Sequence, residues 1–275
     1  MNRPAGDADA FAGATVLAVF AHPDDESIAC GGTLARLADA GARVVLCCAT
    51  RGERGGHTGP VRNDALGLVR VGEMRGAARA LGLAEVLLLD HPDGELRWRH
   101  VPEFHAEIVS VVQRYAPACV LSFGADGLYW HADHIGAHER TLTALQALGP
   151  DAPPLYGVTM PRGAMRPLVE AARARGWTPP PKGFWSLEPD AFGLHALPPT
   201  IVCDVRPWVS RKLAAIRCHQ TQMGSGHPFD DLASADAERW LGSEHFHVIP
   251  THPHAPHRPV LEPIGAQPLT EMPRS

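Results

Sequence analysis

The sequence predicts an α/β fold built on a doubly wound, mostly parallel sheet with helices on both faces and a loop-rich cap toward the C-terminus. Short uninterrupted apolar runs, which suit strands buried on both faces, recur along the first half. Between them lie stretches with apolar residues at helical spacing. This βαβα order implies crossover connections and parallel pairing. Several runs also end in polar clusters, and in such sheets ligands bind beyond the carboxyl ends of the strands.

Residues 14–21 (ATVLAVFA) form the first run and lead into a turn at Pro23. Residues 27–40 carry Ile28, Leu34, Leu37 and Ala38 at helical spacing and stop at Gly41. Residues 43–50 (RVVLCCAT) read as the second strand, 51–63 as a Gly- and Arg-rich loop, and 66–81 as a helix ended by Gly82. A third strand follows at 86–90 (VLLLD), then an amphipathic helix at 102–115 with Pro102 in its first turn. Residues 119–123 (CVLSF) are a fourth strand and 134–148 the next helix. The second half is less regular. Residues 155–160 and 200–205 read as further strands, 162–199 as a proline-broken cap or substrate loop, and 208–222 as a helix packing back on the sheet. There is no internal repeat and no clear linker. The expected organisation, with its Rossmann-like layering, is an N-terminal extension at 1–13, a single domain at 14–249 and a Pro-rich tail at 250–275.

Hydrophobic residues make up 45% of the 275 and charged residues 20%, ordinary for a globular chain with a sizeable core. A net charge of -5 offers no electrostatic footprint for nucleic acid or anionic lipid, which points to a small-molecule partner. The sequence contains no targeting segment and no apolar stretch long enough for a membrane helix, so a cytoplasmic protein is expected. Six cysteines form no CxxC pair and read as small buried thiols in a reducing compartment. Of the sixteen histidines, His245, His247, His252, His254 and His257 are expected at the solvated surface. Apolar residues in the later loops suit either a lid or an oligomer interface.

Three strand ends carry the chemistry. The first runs into His22-Pro23-Asp24-Asp25-Glu26 and the second into Thr50-Arg51-Gly52-Glu53, while the fourth is followed by Tyr129-Trp130-His131-Ala132-Asp133-His134. One rim of a parallel sheet would bring them together. Two imidazoles and a carboxylate leave a divalent ion open positions for water and substrate, a set that suits catalytic zinc and non-haem Fe(II) alike. Such an ion lowers the pKa of bound water from about 15.7 to about 7, and a second carboxylate beside it can accept the proton. Asp24 and Asp25, fixed by Pro23, could divide these jobs. Taken singly, each cluster has a plainer reading as a helix cap, an acidic first turn or a surface placement. Their joint occurrence after strands of one sheet favours a site.

These residues resemble the LmbE-like (PIG-L) metal-dependent de-N-acetylases. The likeness rests on AHPDDE at 21–26 together with HADH at 131–134. It extends to TRGE at 50–53, RVGEMRGAARALGL at 70–83, DG at 93–94, and Lys212 with CHQTQ at 218–222. Residues 161–199 match nothing in that family, and substrate choice is expected to lie there. The resemblance implies a hydrolase that removes an N-acyl, typically N-acetyl, group from an amino-sugar-containing small molecule. It implies His22, Asp25 and His134 as ligands of Zn2+, with Fe2+ or another divalent metal as the alternative. Asp24 would be the general base, although a carboxyl with an ordinary pKa of about 3.9 needs burial or an acidified water to act near neutrality. His131 would face the oxyanion or the leaving amine as an imidazolium, with Asp133 orienting it and favouring its charged form. Tyr129 would reach the tetrahedral intermediate.

Glu53, Arg75 and His219 are candidate substrate contacts, with salt bridges or core-lining roles as the plainer alternative, and Gln222 would support the site beside His219. Arg70 and Glu73 read as a helix-surface pair, Asp93-Gly94 as a tight turn, and His57 as an exposed loop residue. An amidase on a mycothiol-type thiol conjugate and a deacylase of a glycosylated natural product are close variants. A non-haem iron oxygenase would need a β-rich barrel, against the α/β order. A sugar-binding module with a vestigial metal site would have no use for a free carboxylate beside the ion.

Overall fold

The computed structural model describes residues 11–252, apart from Lys182, Ser225 and Asp231, and also Leu261. In chain order the elements are β1 (Thr15–Phe20), α1 (Asp25–Asp39), β2 (Arg43–Thr50), α2 (Leu66–Leu81), β3 (Glu85–His91), α3 (Val101–Tyr115), β4 (Cys119–Phe123), the helical turn α4 (Gly127–Trp130) and α5 (Ala132–Ala147). They continue as β5 (Leu155–Thr159), α6 (Arg166–Ala174), β6 (Ile201–Asp204), α7 (Val209–Ile216), α8 (Ser234–Leu241) and β7 (Ser243–Ile249).

The seven strands form one sheet in the order β3-β2-β1-β4-β5-β7-β6. Strands β1 to β5 pair in parallel, whereas β7 runs antiparallel to both β5 and β6. The chain winds outward from β1 to β3, then returns to lay β4 on the other side of β1. The carboxyl ends of β1 and β4 therefore flank the crevice where such sheets bind ligands. The apolar runs are buried as their composition requires: every residue of β4 and β5, and all but the first of β1 and β2, is enclosed. Helices cover both faces, with α1, α2 and α7 packed on one another and α3 packed on α5.

The first half follows the sequence pattern to within two residues at most boundaries. The second half differs in three places. The expected helix at 208–222 ends at Ile216, and residues 220–222 form a separate 3-10 turn. There the Thr221 amide and hydroxyl both donate to Glu73, at 2.8 and 2.7 Å, and hold the chain off the helical path. Residues 166–174, expected as loop, form α6 with Pro167 in its first turn. His245 and His247 are not surface-tail residues: they lie half-buried in β7, alternating with buried Glu244 and Phe246. Phe11, assigned to the N-terminal extension, is buried in the main core. His254, His257 and most of the Pro-rich tail lie outside the described residues. The six cysteines are free, five of them buried. Among the described residues, no helix is long and apolar enough to cross a membrane.

Helix α1 is broken at Cys30, whose φ of -150° leaves the helical region. The amides just beyond the break lose their intrahelical acceptors. Glu244 of β7 takes them over, accepting from Gly32 N at 2.9 Å and Thr33 N at 2.6 Å, while Lys212 Nζ bonds the same carboxylate at 2.6 Å. Both charged side chains are buried. Glu244→Ala would strand a buried ammonium and two amides, and should destabilise the protein by about 3–5 kcal/mol. Denaturant unfolding of the variant measures this.

Candidate active site

Two tight turns build the site. After β1, the chain bends at Asp24 with φ +119° and ψ -26°, a conformation that L residues rarely adopt. After β4, positive φ values recur at Gly127, Leu128 and Trp130. Such strain persists where surrounding structure over-determines it, and it gathers at functional sites. The first turn delivers His22, Asp24 and Asp25; the second delivers Tyr129, His131 and, one turn into α5, His134.

His134 Nδ1 lies 3.1 Å from the Gly127 carbonyl. A carbonyl can only accept, so Nδ1 carries the proton and Nε2 is left as a lone pair. Phe123 stacks on this ring at 4.0 Å and fixes its plane. His22 Nε2 faces Asp93 Oδ1 at 3.1 Å and Asp133 Oδ2 at 3.3 Å, which likewise assigns it a proton. Its Nδ1 points the other way, 3.3 Å from His134 Nε2 and 3.4 Å from Asp25 Oδ2. The other carboxylate oxygen, Asp25 Oδ1, lies 3.1 Å from His134 Nε2, so the carboxylate spans the two rings with one oxygen toward each. Asp25 is itself anchored by the His22 amide, 2.7 Å from Oδ2.

Two imidazole nitrogens and a carboxylate thus converge with spacings of 3.1–3.4 Å. That spacing fits a shared ion held at about 2.0–2.1 Å by tetrahedral ligands, which lie roughly 3.3 Å apart. The charge balance fits too. Asp25, Asp93 and Asp133 crowd the two rings, and Asp24 beside them is paired with the Arg70 guanidinium. Burial alone would lower the His22 pKa, but its bonds to Asp133, Asp25 and Asp93 raise it well above the ordinary value. Burial pushes the Asp25 carboxyl up, yet His134 and His22 outweigh it and hold the group well below the usual range. The cluster calls for positive charge at its centre.

The structure reassigns several residues. Asp133 does not hydrogen-bond His131. It accepts from Gly94 N at 2.6 Å and Leu96 N at 3.1 Å and turns its remaining valence to His22. His131 has a buried Nδ1 with no partner. Burial, with His134 and His22 close by, pushes its pKa down to about 4, so it is neutral near pH 7 rather than the expected imidazolium. Asp93 is more than a turn residue: its buried carboxylate faces His22, and although burial pushes its pKa up, the bond to and charge of His22, the Arg54 amide and the Arg70 charge together hold it at about 2. Glu53 lies outside the cavity lining and holds the Asp93 amide at 2.9 Å.

Arg75 is exposed on α2 and does not line the cavity. The arginine of that helix that reaches in is Arg70, buried rather than paired with Glu73. It donates to the Pro23 and Gly52 carbonyls at 2.6 and 2.8 Å and to Asp24 Oδ2 at 3.1 Å. Gly52, at φ +64°, allows this approach; a Cβ there would overlap the guanidinium. Asp24 is raised above the ordinary carboxyl value by burial, a push that Arg70 opposes without cancelling. His219 bonds Glu26 Oε1 at 3.0 Å, and its buried Nδ1 has no partner. It lines a cavity of about 400 Å³ with Asp24, Asp25, Tyr129, His134 and Gln222. His57, expected in solvent, lines the same cavity half-buried.

Asp93 was legible only as DG in the sequence, and no local pattern marks a turn aspartate that points inward. Arg70 had a signal in the helical spacing of Leu66, Arg70, Met74 and Ala77, all on the buried side of α2.

The sequence and the fold have counterparts among known proteins. The family model described as PIG-L, GlcNAc-PI de-N-acetylase, matches residues 17–145. A 1D-myo-inositol 2-acetamido-2-deoxy-alpha-D-glucopyranoside deacetylase from Thermobispora bispora is 33% identical, over 84% of this chain and 86% of its own length. The chain belongs to the PIG-L (LmbE-like) family. A deacetylase of the same description from Acidothermus cellulolyticus is 31% identical, covering 86% of this chain and 88% of that one. Among solved structures, the N,N'-diacetylchitobiose deacetylase of Pyrococcus horikoshii shares the PIG-L fold with a TM-score of 0.59 at 22% identity, over 86% of this chain and 84% of that one. A 4-carboxy-2-hydroxymuconate hydratase from Pseudomonas putida has the same fold at the same TM-score of 0.59 and 22% identity, over 86% and 96% of the two chains. The fold alone therefore does not name the reaction.

Proposed function

We propose that this PIG-L protein is a metal-dependent N-deacetylase acting on an amino-sugar-containing small molecule, with zinc as the resident ion. The observation that carries the reading is the convergence of His22 Nδ1, His134 Nε2 and the Asp25 carboxylate, with the Asp24 carboxyl on the cavity wall beside them. The curated relatives, whose names give deacetylation of a glucosaminyl inositol, support it.

A divalent ion in that triangle polarises an amide carbonyl and acidifies water. The chain supplies the rest. Asp24 Oδ1 or Oδ2 takes the proton of the attacking water, and burial, which raises its pKa, makes it a better base than an exposed aspartate. The same carboxyl then hands that proton to the departing nitrogen, so acetate and a free amine leave. Arg70 donates one bond to the Asp24 carboxylate, and its bonds to the Pro23 and Gly52 carbonyls fix the guanidinium there. His131 and Tyr129 pack beside the rings of His22 and His134, 5.8 Å from each other. A neutral imidazole still offers one N–H, and the Tyr129 hydroxyl a second donor, for charge developing on the carbonyl oxygen.

The test is release of primary amine from N-acetylglucosamine, its inositol conjugate and a thiol-bearing conjugate, with defined metals and after chelation. No amine from any of them under any metal would refute the reading.

Asp133 and Asp93 hold the outer nitrogen of a proposed metal ligand, a role that usually affects affinity rather than identity of the ion. Asp133→Asn should weaken zinc binding by roughly 10–100-fold, measured by competition with a chelating dye, while leaving the fold intact by circular dichroism.

A further inference from the structure

Beyond the metal triangle, the cavity changes character. Its far wall is Phe184, Trp185, Ile216, Met223 and Phe229, with His227 packed on Trp185 and Phe229, and Tyr129 touches its edge through Phe184. These rings form a continuous edge-to-face set: Tyr129 to Phe184 at 5.0 Å, Phe184 to Trp185 at 4.7 Å and Trp185 to Phe229 at 5.5 Å. Phe184 and Trp185 are only half-buried, so their faces are available to a ligand. Polar groups that suit sugar hydroxyls, Thr58, Thr221 and Gln222, also line the cavity. Every residue of the far wall comes from positions 184–229, beyond the 17–145 segment that matches the family model.

A polyhydroxylated substituent set against the ring faces would lose water contacts, and the wall's side chains offer only His227 and the Trp185 indole N–H in exchange, at a cost for each hydroxyl left over. An apolar group of ring size would bury its own surface and that of the rings. We infer that the substrate is an N-acyl amino sugar bearing an apolar, ring-sized group, and that Phe184 and Trp185 select it. This rests on the deacetylase reading above and names its substrate class. An aglycone and an extended acyl chain are the two sources of such a group, and the experiment distinguishes them.

The experiment compares N-acetylglucosamine with its 2-naphthyl glycoside and with N-octanoylglucosamine. In one arm, kcat/KM for amine release is measured on the zinc-loaded enzyme. In the other, calorimetry measures binding to the chelator-treated protein, where no turnover occurs. One of the two amphiphiles should exceed N-acetylglucosamine by roughly 10–100-fold in kcat/KM and in affinity, and which one it is identifies the source of the apolar group. Trp185→Ala and Phe184→Ala should each bring that ratio down toward one; the wild-type comparison stands if either variant fails to fold. Equal kcat/KM and equal affinity for all three compounds would overturn the inference and leave the deacetylase reading intact. Tight amphiphile binding with no amine released from any compound would support the pocket and overturn the deacetylase reading.

Discussion

Asp24→Asn is expected to lower kcat by about 10²–10⁴-fold, the range spanned by loss of a positioned general base. Zinc content should stay near one per chain, because Asp25, His22 and His134 keep their positions. The amide is close in size to the carboxyl and can still accept from Arg70 at the place where Asp24 Oδ2 now does, 3.1 Å away. KM should change little. Steady-state kinetics with metal analysis on the same preparation decides the matter. A variant with wild-type turnover and bound zinc would remove Asp24 from the mechanism, and a variant without zinc would make it a structural support for the ligands.

Asp25→Ala should act earlier, on the ion itself. It removes the carboxylate that sits between the two imidazoles and also the acceptor of the His22 amide. Zinc should be lost on dialysis and turnover should fall by at least about 10⁴-fold, as expected when the source of an acidified water is gone. Stability gives an independent readout. A ligand at 1,000 times its Kd stabilises a fold by about 4 kcal/mol, so zinc should raise the Tm of the wild type and leave that of Asp25→Ala unchanged. A zinc-dependent rise of equal size in the variant would place the ion elsewhere.

Much of this was readable from the sequence, for reasons that differ along the chain. Buried parallel strands leave uninterrupted apolar runs, and β2 and β4 fall where RVVLCCAT and CVLSF put them. The stretches proposed to bear the ligands stand out in the sequence because each is local: His22 and Asp25 lie within one turn, as do His131 and His134. What escaped is what depends on distant partners. Asp133 looked like the neighbour of His131 but bonds His22, Gly94 and Leu96, contacts that need the folded crevice. The HFHVI alternation at 245–249 carried a strand signal, and its histidines obscured it. Arg70 and Glu73 share a helix turn, yet each is drawn off by a stronger partner in another segment.

The grip of Glu244 on the broken first helix has a consequence for synthesis. That carboxylate is 212 residues beyond the glycine amide it binds, and Lys212 joins the same knot. A ribosome that has made β1 to β5 has produced the residues of the proposed metal triangle, but the helix beginning at Asp25 has no Glu244 to accept from its freed amides until the last strand emerges. Nascent chains halted before that point should therefore hold the triangle loosely, and competence to retain the ion should arrive abruptly near completion rather than strand by strand.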